Sequence, residues 1–546
     1  MPLPCVIFED EHMLVVNKPA GLNTHAPSPF AGEGIYDWLR HREPRWAKLA
    51  IIHRLDKETS GVIVFGKTTL ANRSLTEQFA NRSVRKKYVL LTEHPMKRAE
   101  LIVRSKIARA GDHYVSGAQG EPAETWFRRA AADAEFTFSS KKSEPPHVGC
   151  YYLIEAEPVT GRTHQIRVHA AESGFPILGD ALYGGFDFPR VCLHAAEITF
   201  KHPLTGEEVT FRAAADFARD SREALRDGLI VADETNAFRL IHGASDGWPE
   251  WYVERLGDFL LSQGVSPLSA QQEARLDDLA KLVPVKGVYH KILSRHVRCV
   301  SATVASPQLV RGKAAPERFA IRENGLQFEL SFNEGYSVGL FLDQRDNRRR
   351  LLTGHIAADF PLPNSKLETQ NSKPEILNVF AYTCAFSVCA AKGGAKTTSL
   401  DLSKKYLEWG RRNFVLNGLD PGEHDFIYGD AFDWLRRLAK KGRAFDTIVL
   451  DPPTFSQSKE RGVFRVEKNY GDLVSAALPL LKPEGVLLAS ANAANWPPEK
   501  FLADVSASTR AAKRKILRQY YAPQPPDFPV SRGEPAYLKT VWVQVS

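Results

Sequence analysis

Short apolar runs punctuate the N-terminal third of the chain at residues 13–16, 49–52, 62–65 and 89–91, each bounded by polar or turn-forming residues. Runs of this length predict buried strands. Between the second and third lies His53-Arg54-Leu55-Asp56-Lys57-Glu58-Thr59-Ser60-Gly61, a polar turn between two buried segments. Beyond residue 375 the pattern changes. An apolar strand at 376–380 precedes a helix starting at 386, a short strand at 398–400 ends at Asp401, and 404–417 is helix-like. Residues 426–428 lead into Gly429-Asp430, 447–450 into Asp451-Pro452-Pro453, and 486–490 follows Lys482-Pro483-Glu484-Gly485. Strands alternating with helices predict a largely parallel sheet with ligands at the carboxyl ends of its strands. An acid after the second strand is placed to accept ribose hydroxyls, which is the expected task of Asp401. Asp430, after the third, is placed to bind an adenine amino group.

At 546 residues the length suggests about three or four domains. Hydrophobic content of 43% and charged content of 25% are those of ordinary globular protein. No run approaches the roughly 18 apolar residues of a membrane span, and Met-Pro-Leu-Pro-Cys does not open a secretion signal. The six cysteines, at 5, 150, 192, 299, 384 and 389, form no regular framework. They read as free thiols in a reducing compartment, so a cytoplasmic location is expected, with no membrane and no obligate protein partner. Residues 213–226 read as a linker, 361–374 as a loop and 139–147 as a polar insertion. Net charge is +8, with four basic residues in each of 82–87, 345–350 and 511–518. Such clusters suit phosphate-rich partners and equally suit solvated helix faces. Contact with such a partner is expected mainly at the first.

Asp56 lies between Arg54 and Lys57. An acid among cations stays ionised, which suits a nucleophile or base rather than a general acid. A bare Arg-x-Asp is usually a salt-bridged surface turn, but the full nonamer resembles the signature of the RluA-type pseudouridine synthases. Lys18-Pro19-Ala20-Gly21, Lys87-Tyr88, the stretch Thr160-Gly161-Arg162-Thr163-His164-Gln165-Ile166-Arg167-Val168-His169, and Pro176-Ile177-Leu178-Gly179-Asp180 with Tyr183-Gly184 and Leu193-His194-Ala195 continue the resemblance in order. It covers about residues 5–215. The resemblance implies that Asp56 attacks the sugar or removes a sugar proton while the uracil is detached and turned. Arg167 would pair with Asp56, Tyr88 would stack on the free base, and Ile166 would exclude water. Arg54 would fill the gap left by the extruded nucleotide. His53 and His164 are expected to hold loops, and the histidines show no metal-ligand spacing. No cofactor is expected for this half.

The second half resembles the class I S-adenosylmethionine methyltransferases, and among them the guanine-N7 half of the fused RlmK/RlmL enzymes and the RlmI-type enzymes. The carrying residues are Gly339-Leu340-Phe341-Leu342-Asp343-Gln344-Arg345, Asn378-Val379-Phe380-Ala381-Tyr382-Thr383, Tyr406-Leu407-Glu408-Trp409, Asn417-Gly418-Leu419 and Asp451-Pro452-Pro453-Thr454-Phe455-Ser456-Gln457-Ser458-Lys459. Upstream, Phe238-Arg239-Leu240 and Tyr252-Val253-Glu254-Arg255-Leu256 resemble the small domain that precedes the catalytic one. The implied fold is an α+β synthase domain with a mixed antiparallel sheet (1–215), a linker (216–232), a small α+β domain (233–330) and an α/β Rossmann-like domain (331–546). The implied cofactor is S-adenosylmethionine, held by Asp401, Asp430, Asp451, Phe380, Tyr382, Thr383, Gln344 and Arg345. Pro452, Pro453 and Asn492 would position the methyl acceptor.

Two departures bear on the chemistry. Cys384-Ala385 stands where the family has a glycine that lets the backbone approach the cofactor, and a β-carbon there can clash. Carbon 5 of cytosine needs a cysteine nucleophile for its methylation. RlmI-type enzymes carry one after the strand equivalent to 486–490; here that place reads Ser490-Ala491-Asn492-Ala493, with no cysteine beyond Cys389. A nitrogen acceptor is therefore expected. The expected function is bifunctional RNA modification, with 23S rRNA the favoured substrate and tRNA open. The alternative is a synthase whose second half is a non-catalytic RNA-binding platform.

Overall fold

The computed structural model describes residues 2–32, 34–130, 151–293, 306–335, 337–363, 373–458 and 462–546. The insertion at 139–147, most of the 361–374 loop, Cys150, Cys299 and Lys459 lie outside them. The chain forms two compact units. One comprises Met1–Pro27, Glu33–Leu39 and Lys48–Val231; the other comprises Ser28–Gly32, Arg40–Ala47 and Ala232–Ser546.

The first unit is built on an eleven-stranded mixed sheet. Nine of its strands run in the order Val6–Glu9, Met13–Lys18, Ser60–Gly66, Leu193–Lys201, Arg85–Thr92, Tyr152–Pro158, Glu121–Arg129, Glu100–Ala110 and His113–Gly117, while Ala50–Ile51 pairs with Ser60–Gly66 and Glu208–Arg212 with Leu193–Lys201. The neighbours are antiparallel except Ser60–Gly66 with Leu193–Lys201, which run parallel. Every residue of Ser60–Gly66 is buried. A strand covered on both faces reads as a continuous apolar run rather than an alternation, which is why 62–65 stands out in the sequence. The run at 49–52 supplies only the two-residue strand Ala50–Ile51. Gly61 has φ +118°, and a β-carbon there would lie 2.3 Å from the Ala195 carbonyl oxygen. The last residue of the nonamer is glycine because the neighbouring backbone passes at that point. The stretch read as linker contains the helix Ser221–Leu229, which is capped by Asp220 and buries Leu225 and Leu229, so it belongs to the first unit.

The second unit begins with a five-stranded sheet ordered Ala237–His242, Trp251–Leu256, Phe259–Gly264, Gly287–Ile292 and Gln308–Gly312. Phe259–Gly264 and Gly287–Ile292 are parallel, joined by the helix Ala270–Leu282. That helix starts at a capping box in which Ser269 and Gln272 satisfy each other's backbone N–H. A seven-stranded sheet follows, in the order Asp425–Tyr428, Lys396–Asp401, Glu375–Val379, Phe445–Leu450, Leu481–Asn492, Leu538–Val545 and Ile516–Tyr521. The first five are parallel and Leu538–Val545 is antiparallel to both its neighbours. The parallel strands end where the sequence places its acids. The strand expected at 486–490 runs from Leu481 to Asn492, because its Lys-Pro-Glu-Gly segment is absorbed as a register shift rather than a separate turn. No helix among the described residues is long and apolar enough to cross a membrane.

Candidate active sites

In the first unit the nonamer is held from several sides. Thr24 Oγ1 donates to the Leu55 carbonyl at 2.8 Å and accepts from Leu55 N at 3.1 Å. The buried Lys18 donates from Nζ to the carbonyls of Pro19, Leu22 and Lys57 at 2.9, 2.7 and 3.2 Å. Burial pushes this ammonium down to about 7. Gly21 N also donates to Lys57 O. On the other side Ser60 Oγ accepts from Arg190 Nη2 at 2.7 Å and lies 2.8 Å from His194 Nδ1. Thr24 and Arg190 went unnoticed in the sequence, because their partners lie far away in it.

The loop presents half-buried Asp56 to a cavity of about 990 Å³. Arg54, Tyr88, Ile166 and Arg167 line the same cavity, so the fold gathers all five synthase candidates. Burial and then the nearby Asp56 charge hold the Tyr88 phenol above its ordinary range. Ile166 and Arg167 open the helix Gln165–Glu172. The resemblance implied that Arg167 pairs with Asp56, and this is corrected: the two are not hydrogen-bonded. Arg167 makes a two-pronged pair with Asp180, Nε to Oδ2 at 2.6 Å and Nη2 to Oδ1 at 2.7 Å. Asp180 is 1% exposed and needs a cation at bonding distance; Asp56 reaches solvent. Burial alone would lower the Arg167 guanidinium, but the hydrogen-bonded Asp180 and the charges of Asp180 and Asp56 raise it. Asp56 is thus felt by Arg167 without bonding to it.

The histidines hold loops. His53 Nε2 accepts from Val64 N at 3.2 Å, its ring stacks on Phe79, and burial pushes it down to about 3. His164 Nδ1 lies 2.8 Å from the Tyr183 hydroxyl. Of the first basic cluster, Arg82 and Lys86 line the cavity, while Arg85 and Lys87 pair with Glu208 and Glu155.

The second unit holds a cavity of about 530 Å³ at the carboxyl ends of its parallel strands. Asp401 accepts from Tyr382 N and Ser403 N, both at 2.8 Å, and burial raises its carboxyl. The intervening loop is unusual. Phe380, Tyr382 and Cys384 have φ of +63°, +49° and +61°. Each non-glycine residue in that region costs on the order of 1–3 kcal/mol and persists where the surroundings over-determine it. Here they do: Thr383 Oγ1 donates to Gly339 O at 2.7 Å, Asn413 Nδ2 donates to Thr383 O at 2.9 Å, and Tyr382 OH donates to Ser337 Oγ at 2.8 Å. Asp430 caps the helix Ala431–Lys440 through Asp433 N and also lines the cavity. Asp451 is hydrogen-bonded to Ser490 and Gln344; burial, then the Asp343 charge, push it up to about 7.

Phe380, Tyr382, Gln344, Pro452, Pro453 and Asn492 all face this space. Thr383 and Arg345 do not, and their expected contacts are corrected. Thr383 spends its hydroxyl inside the loop. Arg345 is 5% exposed and pairs with Asp527 at 2.7 and 3.0 Å. Arg348 pairs likewise with Glu323, and Arg350 Nε donates to Ile356 O. The basic cluster at 345–350 is largely interior and structural, because guanidinium–carboxylate forks can be buried as units. Among contributors not foreseen, Phe464 of the hairpin strand Gly462–Arg465 approaches Phe380 and Phe432, and Asp343 and Ser337 complete the wall. No cysteine lines the cavity among the described residues.

Residues 239–541 match the S-adenosylmethionine-dependent methyltransferase family. The chain belongs to that family. Residues 12–172 match the RNA pseudouridylate synthase family, so the first unit is a pseudouridine synthase domain joined to a methyltransferase. Ribosomal RNA large subunit methyltransferase I of Aeromonas salmonicida is 30% identical over 72% of this chain and 92% of its own length. Ribosomal large subunit pseudouridine synthase C of Yersinia pestis is 36% identical over 39% of this chain and 66% of its own. The crystal structure of SMU.776 complexed with SAH superposes with a TM-score of 0.50 at 27% identity, over 64% of this chain and 88% of that one. The methyltransferase domain uses S-adenosylmethionine, and its cavity fits that group. Carboxyl groups of Asp401, Asp430 and Asp451 that can accept hydrogen bonds and the rings of Phe380, Phe432 and Phe464 border the same space.

Proposed function

We propose that this enzyme acts in the cytoplasm on 23S rRNA, converting a uridine to pseudouridine in the first unit and methylating a base nitrogen in the second. The observation that carries the reading is the gathering of the candidate residues around one cavity in each unit separately: Asp56 with Arg54, Tyr88, Ile166 and Arg167 in one, Asp401, Asp430 and Asp451 in the other. The choice of rRNA follows the names of the relatives.

In the synthase cavity Asp56 attacks the sugar or removes its proton, Tyr88 stacks on the detached uracil, and Ile166 keeps water away. Arg54 stands in for the extruded nucleotide in its stack. Arg167, fixed by Asp180, supplies positive potential rather than a bond. In the second cavity S-adenosylmethionine, when bound, supplies an electrophilic methyl group. Asp401 holds its ribose, Asp430 its adenine amino group, and Phe380, Tyr382 and Gln344 complete the seat. Pro452, Pro453, Asn492 and Asp451 position the acceptor edge. A nitrogen lone pair needs only this positioning. Carbon 5 of cytosine would need a thiolate, and Cys384 and Cys389 are both buried with their thiols pushed up by burial. The product favoured is 7-methylguanosine.

The test is to incubate the full chain and S-adenosylmethionine with unmodified 23S rRNA and with tRNA, then identify the nucleosides by mass spectrometry. Pseudouridine plus a nitrogen-methylated base in rRNA supports the reading. 5-Methylcytidine overturns the acceptor assignment, and no methyl transfer at all leaves the platform alternative.

A further inference from the structure

A second chamber of about 240 Å³ adjoins the cofactor cavity in the same unit and shares Ser337, Phe341, Asp343 and Asn492 with it. Its far wall comes from the five-stranded sheet, through Arg239, Tyr252, Glu254 and Gln263. The volume falls below the roughly 300–1,000 Å³ of sites for drug-sized ligands, and suits one ring system. The wall is polar and already organised. Arg239 donates from Nη2 to Glu254 Oε1 at 2.7 Å and lies over the rings of Tyr252 and Phe528, and Gln263 Nε2 donates to Glu254 Oε2 at 3.3 Å.

One group is not satisfied. Asp343 is 7% exposed and hydrogen-bonded to Tyr537, yet its Oδ1 is buried with no partner among the described residues. A buried carboxylate oxygen without a donor is costly and calls for an explanation. Asp343 stands on the wall common to both spaces, so a donor supplied by a ligand in the chamber would also bring that ligand to the edge of the cofactor cavity.

We propose that this chamber receives the flipped acceptor base, and that the base is one whose ring or amino N–H donates to Asp343. Lys291 lines the same wall, with its Nζ donating to Gly335 O at 3.3 Å. The small sheet is then part of the methyltransferase active site rather than a separate docking module. This rests on the methyltransferase reading above.

The test uses the full chain and unmodified 23S rRNA. Gln263→Trp fills the chamber from a residue that does not line the cofactor cavity, and Asp343→Ala removes the acceptor. Each lowers kcat/KM for methyl transfer by about ten- to hundredfold. Gln263→Trp leaves calorimetric affinity for S-adenosylhomocysteine within about twofold, and pseudouridine formation is unchanged in both. Wild-type methylation by either variant overturns the inference, as does loss of S-adenosylhomocysteine binding in Gln263→Trp in step with activity. If the wild type itself transfers no methyl group, the functional reading fails and this one falls with it.

Discussion

The thiol of Cys384 fills the space that a side chain on Gly410 would need: a β-carbon built at Gly410 would lie 2.3 Å from Cys384 Sγ. The glycine missing from the cofactor loop is thus matched by one on the facing helix, Lys404–Leu416, and the thiol points at that helix rather than into the cavity. Gly410→Ala should destabilise the protein by about 1–3 kcal/mol through overpacking. Cys384→Gly with Gly410→Ala should regain most of that, since glycine also relieves the left-handed backbone. Thermal denaturation decides: a Gly410→Ala protein as stable as wild type refutes the shared-space account.

Asp56→Asn keeps the shape of the synthase carboxylate and removes its charge. Pseudouridine formation should fall below detection while methyl transfer and melting temperature stay at wild-type values. Nucleoside analysis of both modifications in one reaction is the measurement, and substantial residual isomerisation would remove Asp56 from its role.

Asp180→Asn should behave differently. It strands Arg167 in the interior, and losing one member of a buried pair costs about 3–5 kcal/mol. Melting temperature and synthase rate should drop together, in contrast to Asp56→Asn, where only the rate drops. Equal stability of Asp180→Asn and wild type would show that Arg167 has another partner.

S-adenosylhomocysteine should raise the melting temperature of the wild type by linkage, about 2.7 kcal/mol at a hundred times its dissociation constant. Asp401→Ala should abolish that rise at the same concentration. A shift that survives the substitution would place the ribose elsewhere.

Asp451 supplies a pH signature. Its folded-state value near 7 lies above that of an unfolded aspartate near 4. Between those limits the folded chain keeps a proton that the unfolded chain has released, so this contribution to stability is lost as pH rises from 4 to 7 and is flat above. Asp451→Asn, neutral throughout, should therefore melt above wild type by a few degrees at pH 8 and alongside it at pH 4. Parallel wild-type and variant curves across that range would contradict the shift.

Chemistry that sits within a few residues was legible from the amino acids alone. The Asp56 nonamer, the acids closing the strands at 401 and 451, and the alternation behind the parallel sheet are all local signals. Partner choice was not. Arg167 and Asp180 are 13 residues apart, Arg345 and Asp527 are 182 apart, and no periodicity says which carboxylate an arginine will meet. The same limit made the cluster at 345–350 look like a charged surface. Ile516–Tyr521 and Leu538–Val545 escaped notice because they carry no motif, and Asp343 was passed over beside Gln344 and Arg345 because its distinguishing feature is a missing hydrogen bond.

The position of Leu538–Val545 orders events during synthesis. That strand lies inside the seven-stranded sheet, between Leu481–Asn492 and Ile516–Tyr521, and Asp527 just before it neutralises Arg345. The cofactor cavity therefore cannot close while residues 527–545 are still in the ribosomal tunnel. The eleven-stranded sheet is complete by Arg212, and domains fold as they emerge. A nascent chain would thus acquire isomerase competence well before methyltransferase competence, and translation stalled near residue 520 would yield the first activity without the second.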